Sequence, residues 1–289
     1  MNPTLTNRVD SEPHSPSKEE VVVLPDQTAI AAAVRGTRWH QVSVVPTTGS
    51  TNADLADGVR AGDEPGRVLI ADVQTAGRGR HQRSWSAPSG TQLSISVTVA
   101  VPPGATPRAG WLSLVTGVAA VAAVREVTGL SAGLKWPNDV LVEASEGKRG
   151  GKTAGILSEL ATAPGGNLVA VIGTGLNTTL AAADVPVDTA TSLQLAGAED
   201  PDRTALAIAY LRHLDAGLTA WTDDPAAVRA DYLAACVTVG QEVTVTLPAD
   251  EVVRGTAVDV DAEGRIVVRD AAGTRHVLSA GDVTHLRPA

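Results

Sequence analysis

Gln74-Thr75-Ala76-Gly77-Arg78-Gly79-Arg80-His81-Gln82-Arg83-Ser84-Trp85 is the stretch on which the reading of this chain turns. Before it, Arg67-Val68-Leu69-Ile70-Ala71-Asp72-Val73 is rich in apolar residues and reads as a strand. After it, Gln92-Leu93-Ser94-Ile95-Ser96-Val97-Thr98-Val99 alternates polar and apolar residues, the period-two pattern of a half-buried strand. The basic stretch is therefore a loop between two strands. Its glycines let backbone N–H groups approach a ligand, and its arginines offer planar, bidentate donors to phosphate or carboxylate. A solvated basic turn has the same composition. The 289-residue chain, however, carries a formal net charge of −9, so three arginines in one loop are a local placement.

On the N-terminal side, Asp26 can cap a short helix from Gln27 to Val34, and Gln41 to Val45 reads as a strand. Thr47-Thr48-Gly49-Ser50-Thr51-Asn52 follows. Ser50 or Thr51 can cap a helix running to Arg60. Those hydroxyls either only cap, or act with Asn52 to hold a small polar ligand at the strand-to-helix turn. Residues 1 to 25 are polar and proline-rich and are expected to be disordered.

On the C-terminal side a helix is expected over Pro107 to Thr128, then Lys135-Trp136-Pro137-Asn138-Asp139. Pro137 lacks an N–H and pushes Trp136 towards an extended conformation, so the strand breaks there. The break either is an Asn-Asp turn or displays Lys135, Asn138 and Asp139 as a nucleotide and magnesium site, since hard cations prefer oxygen ligands. Lys152 to Glu159 reads as a strand. Gly151-Lys152-Thr153 is not a phosphate-binding P-loop: Glu146 stands where that motif needs glycine, and no helix follows. Leu168 to Ile172 is a buried strand ending in Gly173-Thr174-Gly175-Leu176-Asn177. It fails as a dinucleotide fingerprint for want of a third glycine and a helix. Its glycines suit the floor of a pocket.

Two helices, Asp202 to Thr222 and Pro225 to Ala235, precede a change of character at Val237. From there short alternating strands and glycine turns indicate a small five-stranded barrel of the SH3-like type. His276 and His285 lack partners at metal-ligand spacing. Hydrophobic residues make up 43% of the chain while Phe is absent, so alanine and valine must do most of the packing. The acidic balance argues against a protein that coats nucleic acid. Cys236 is the single cysteine and rules out an internal disulfide framework. No secretory signal or bilayer-length apolar run is visible, so a cytoplasmic protein without membrane contact is expected.

Taken together, Gly49-Ser50-Thr51-Asn52, Gln74 through Trp85, Lys135 through Asp139, Gly151 through Leu157 and Gly173 through Asn177 resemble the biotin protein ligase family, in that family's order. The resemblance implies an α+β fold: a class II synthetase-like catalytic domain with a mixed, mainly antiparallel sheet over residues 26–236, then an SH3-like barrel over 237–289. It implies that biotin and ATP condense to biotinyl-5′-AMP, and that biotin passes to a lysine on the biotin carboxyl carrier domain of a carboxylase. Lys152 and Arg80 would be catalytic. Biotin would meet Ser50, Thr51, Asn52, Gln74, Gly77, Arg78, Gly79, Arg80, Trp85, Lys152, Gly155, Gly173 and Gly175. ATP would meet Arg80, Arg83, Lys135, Asn138, Lys152 and Asn177, with magnesium (Mg2+) on Asn138 and Asp139. A lipoate-type ligase and a non-catalytic biotin-binding module are the competing readings. Some family members begin with a winged-helix DNA-binding domain. Fewer than 50 residues precede Ser50, so no specific nucleic-acid binding is expected.

Overall fold

The computed structural model describes residues 22–247 and 251–285; the expected disordered tail falls, over residues 1–21, outside them. The elements are α1 (Gln27–Ala33), β1 (Gln41–Thr48), α2 (Thr51–Ala61), β2 (Arg67–Gln74), β3 (Gln92–Ala100), α3 (Trp111–Thr128), β4 (Ala132–Lys135), β5 (Asp139–Val142), β6 (Gly151–Thr162), β7 (Leu168–Asn177), α4 (Leu193–Ala196), α5 (Arg203–Asp223), α6 (Pro225–Ala235) and β8 to β12. The last five are Glu242–Thr246, Val252–Val260, Ile266–Arg269, Arg275–Leu278 and Asp282–His285.

Strands β1 to β7 form one mixed sheet in the order β1-β2-β3-β7-β6-β5-β4. Only β1 and β2 run parallel, joined by the crossover helix α2; every other pair is antiparallel. This is the expected α+β class. Because successive strand residues point to opposite faces, β7 feeds two clusters. Ala170 and Ile172 join the main core, to which α3 and α5 contribute Leu112, Val115, Leu211 and Leu214. Val169 and Val171 pack instead on Leu55, Ala56 and Val59 of α2. Helix α3 is long and apolar enough to cross a bilayer, but 61% of it is buried, as befits the central helix of a core.

Strand β3 differs from expectation. Its alternation suggested one wet face, yet Gln92 through Val99 are all buried. The reason is that α2 packs over the polar face, and Ser94 and Ser96 there bond to protein side chains.

Strands β8 to β12 form a five-stranded antiparallel sheet in the order β11-β10-β9-β8-β12, around Val243, Val245, Ala257, Ile266 and Val268. Two tryptophans join it to the first unit. Trp111 Nε1 donates to the Ala262 carbonyl at 2.9 Å, and Trp136 Nε1 to the Gly264 carbonyl at 3.0 Å. Burying one indole removes roughly 150–250 Å² of surface, about 4–6 kcal/mol at 25 cal/mol per Å². Arg229 adds a polar tie across the same seam, donating to the Val260 carbonyl at 2.8 Å and pairing with Asp259 at 2.5 Å.

Candidate active site

The arginine loop is itself a small hairpin. Gly79 N donates to the Arg83 carbonyl at 2.7 Å and Trp85 N to the Gly77 carbonyl at 2.9 Å, with Arg78 and Ser84 bridged between them. A tight turn over Arg80–Gln82 closes it, with His81 in the left-handed region at φ 53°. Gly77 is needed for contact: a Cβ there would collide with the Trp85 carbonyl. The three arginines reach three different elements. Arg78 pairs with Glu159 of β6 at 3.2 Å, Arg80 donates to Asn138 Oδ1 at 3.2 Å, and Arg83 pairs with Asp282 of β12. Burial pushes the Arg80 pKa below the usual arginine value, against the pull of Asp282 and Asp139. Its charge is thus poorly solvated by water and poised to meet an anion.

Beneath the loop lies a ladder of polar groups. Gln74 Oε1 accepts from Thr51 N at 2.9 Å and Thr51 Oγ1 at 3.0 Å, capping donors that the first turn of α2 leaves unpaired. Ser96 Oγ lies 2.6 Å from Thr51 Oγ1 and 2.7 Å from Asn52 Oδ1. Asn52 Nδ2 donates to the Leu157 carbonyl and to Glu159, so the amide is committed at both ends. Ser50 caps α2 through Ala53 N at 3.4 Å. The floor glycines admit the protein's own side chains: a Cβ on Gly173 would collide with Asn52, and one on Gly175 with the Trp85 indole.

Lys152 reaches this floor because of a β-bulge. Val140 pairs with Ala154 but Leu141 pairs with Lys152, leaving Thr153 as an extra residue. A bulge re-aims side chains. It resets the alternation, so Lys152 and Gly155, three positions apart, face the same cavity. Lys152 Nζ then sits 2.6 Å from Asp139 Oδ1 and 5.8 Å above the Trp85 ring.

One cavity of about 630 Å³ collects Ser50, Thr51, Asn52, Gln74, Arg78, Gly79, Arg80, Arg83, Trp85, Lys135, Asn138, Asp139, Lys152, Gly155, Gly173, Gly175 and Asn177. Of the residues singled out in the sequence, Gly77 alone is not on its wall; it shapes the loop from behind. Asn177 is buried, and its Nδ2 donates to the Thr191 carbonyl at 3.0 Å. The sequence reading missed Ser96, Asp282, Val283 and Thr284 on that wall. The alternation of β3 carried a usable signal for Ser96. Nothing local marks Asp282, which belongs to the second unit. That unit therefore supplies a wall of the site. Of its histidines, His276 pairs with Asp270 at 2.8 Å. His285 faces Thr238 at 3.1 Å, its pKa lowered by burial and then by Lys135.

A mixed sheet whose open face gathers lysines and arginines over a polar floor, with a small β unit closing one side, defines a protein built to bind acidic ligands. Residues 44–177 match the biotin/lipoate A/B protein ligase family and residues 238–286 the biotin protein ligase C-terminal domain. The chain is 45% identical over 256 residues to a biotin–[acetyl-CoA-carboxylase] ligase of Mycobacterium tuberculosis, covering 87% of this chain and 91% of that one. It is 32% identical to the enzyme of the same name from Paracoccus denitrificans, covering 82% and 97%. A structure of biotin protein ligase from Aquifex aeolicus, in complex with biotin and ATP, shares the fold at a TM-score of 0.68 and 24% identity, covering 86% of this chain and 99% of that one. The chain belongs to the biotin protein ligase family.

Proposed function

We propose that this enzyme activates biotin with ATP and transfers it to a lysine of a biotin carboxyl carrier domain. In the first step a biotin carboxylate oxygen attacks the α-phosphorus of ATP, the bond to the β-phosphate breaks, and pyrophosphate leaves. In the second the carrier amine attacks the acyl carbon of biotinyl-5′-AMP, loses a proton and expels AMP. The observation that carries this reading is that Arg80 and Lys152, from a loop and a strand 72 positions apart, line one cavity. Two anions repel, and preorganised cations between them lower the barrier to their meeting.

The ureido ring of biotin suits the floor around Thr51 and Gln74, with Ser50 at its rim, and the Trp85 indole on its glycine bed forms an apolar wall. Arg83 and Lys135 suit the outer phosphates. Asn177 has its Nδ2 on Thr191, which leaves Oδ1 to accept from the adenine amino group. Asn52 acts as a brace for Gly173 and Ser96. The magnesium pair does not fit a protein-held ion: Asn138 Oδ1 already accepts from Arg80, and Asp139 already neutralises Lys152. Magnesium bound near phosphates takes one or two carboxylates in addition to substrate oxygens. No step above runs through it.

Pyrophosphate release with ATP and either biotin or lipoate tests the reading, followed by mass spectrometry of a carrier domain. Biotin-dependent release and a carrier gain of one biotinyl group are expected. Release with lipoate alone would overturn the assignment.

A further inference from the structure

The buried side chain of Gln92 has no place in the chemistry above, yet it touches the cavity wall. Gln92 opens β3 and is fully buried. Its Oε1 accepts from Trp85 Nε1 at 3.0 Å. Its Nε2 has no hydrogen-bond partner among the described residues. A buried, unpaired amide donor is costly, so an apolar side chain of this shape would suit the site better for stability alone.

The backbone of Gln92 is held firmly. Its carbonyl accepts from Arg203 Nη1 at 3.2 Å, and Arg203 pairs at 2.5 Å with the buried Asp72. Across the sheet it faces Asn177 of β7. Trp85 is the opposite case. It stands at the end of the arginine loop, and its indole packs against Gly175 and beneath Lys152. An indole with no hydrogen-bond partner could slide along a glycine floor, and the bond from its N–H to Gln92 fixes its rotation over that surface.

We propose that Gln92 is a positioning residue: its side-chain carbonyl locks the Trp85 indole across Gly175, and this sets the width of the apolar slot. The proposal rests on the functional reading above for the ligand that enters the slot. The indole is present before and after adenylation, so the lock contributes to binding and not to the chemical step.

The test uses the full chain with the near-isosteric Gln92→Met, which removes the acceptor and the unpaired donor together. The five tryptophans are labelled as 5-fluorotryptophan, and the Trp85 resonance is assigned by its loss in Trp85→Phe. In Gln92→Met the Trp85 fluorine resonance is expected to shift or broaden while the other four stay in place. The melting temperature should hold or rise. KM for biotin should increase about three- to tenfold, the scale of one neutral hydrogen bond, with kcat little changed. In the Trp85→Phe background Gln92→Met should have no further effect on KM. An unmoved Trp85 resonance would overturn the proposal, as would a KM increase that persists in full without the indole N–H. If the wild-type protein releases no pyrophosphate with biotin, the functional reading fails by itself, and the fluorine spectrum still decides whether Gln92 holds Trp85.

Discussion

The ammonium of Lys152 stands 2.6 Å from the carboxylate of Asp139 on the neighbouring strand, and both side chains are partly buried. The pair keeps Lys152 extended over the cavity instead of folded back into solvent. An incoming anion can share the ammonium with Asp139 without having to recruit it. Lys152→Ala should therefore lower biotin-dependent pyrophosphate release by about 100- to 1000-fold, the scale for removing one preorganised donor. Deleting Thr153, the extra residue of the bulge, should cost as much by turning Lys152 to the other face. Circular dichroism should show both variants folded; a deletion variant with full activity would contradict the role of the bulge.

The clasp between the two units runs through Arg83, His81 and Asp282. His81 Nε2 is 3.7 Å from Asp282 Oδ1, and both arms are half-exposed. Exposed pairs contribute at most about 1 kcal/mol, so Asp282→Ala should leave the melting temperature nearly unchanged. It should instead loosen the arginine loop. Trypsin is expected to cleave after Arg80 or Arg83 several-fold faster in the variant, and biotin with ATP should restore protection. Equal cleavage rates would place the order of the loop elsewhere.

Asp72 and Arg203 present the buried counterpart, at 3% and 11% side-chain exposure. Asp72→Ala strands a guanidinium in the interior and should cost about 3–5 kcal/mol in urea unfolding at pH 7. Burial alone would raise the Asp72 pKa, but hydrogen bonds from Ser89 and Arg203 outweigh it and hold the carboxyl below its ordinary 3.8. A depressed folded pKa stabilises above the unfolded value and loses that stabilisation as pH falls through the folded one. The gap in urea midpoint between wild type and Asp72→Asn should therefore be full at pH 7 and shrink below pH 3.8. A gap constant from pH 7 to pH 2 would remove Asp72 from the acid transition.

Gly175→Ala should weaken biotin binding by about ten- to a hundredfold, because its Cβ would collide with the indole and overpacking costs about 1–3 kcal/mol. Gly155→Ala meets Trp85 at 3.2 Å and should be milder. Calorimetric titration with biotin measures both. Equal affinities in the two variants would mean that Trp85 does not form the wall.

The legible parts of this protein were those whose signal is local. Alternation in Gln92 to Val99 and the apolar run from Arg67 are read from backbone period alone, and Pro137 has to interrupt β4 and β5 wherever the chain goes. Glycines and arginines in one loop announce an anion because those residue types have few other uses together. Lys152 was placed on a strand beside Gly155, but simple alternation would have pointed the two to opposite faces. Asn52 and Gly173 both line the cavity, but the Asn52 amide is already bonded to Leu157, Glu159 and Ser96, and the missing Gly173 side chain makes room for it.

By itself, then, the sequence determined the strands, the breaks between them and the chemical class of ligand, because each depends on residues adjacent in the chain. Tertiary structure alone decided which way Lys152 points, since a bulge exists only relative to a partner strand. It also decided that Arg83 meets a carboxylate 199 positions away, and that Gln92 holds Trp85 over Gly175. Those are relations across a folded sheet, and no pattern of neighbours along the chain encodes a distance across it.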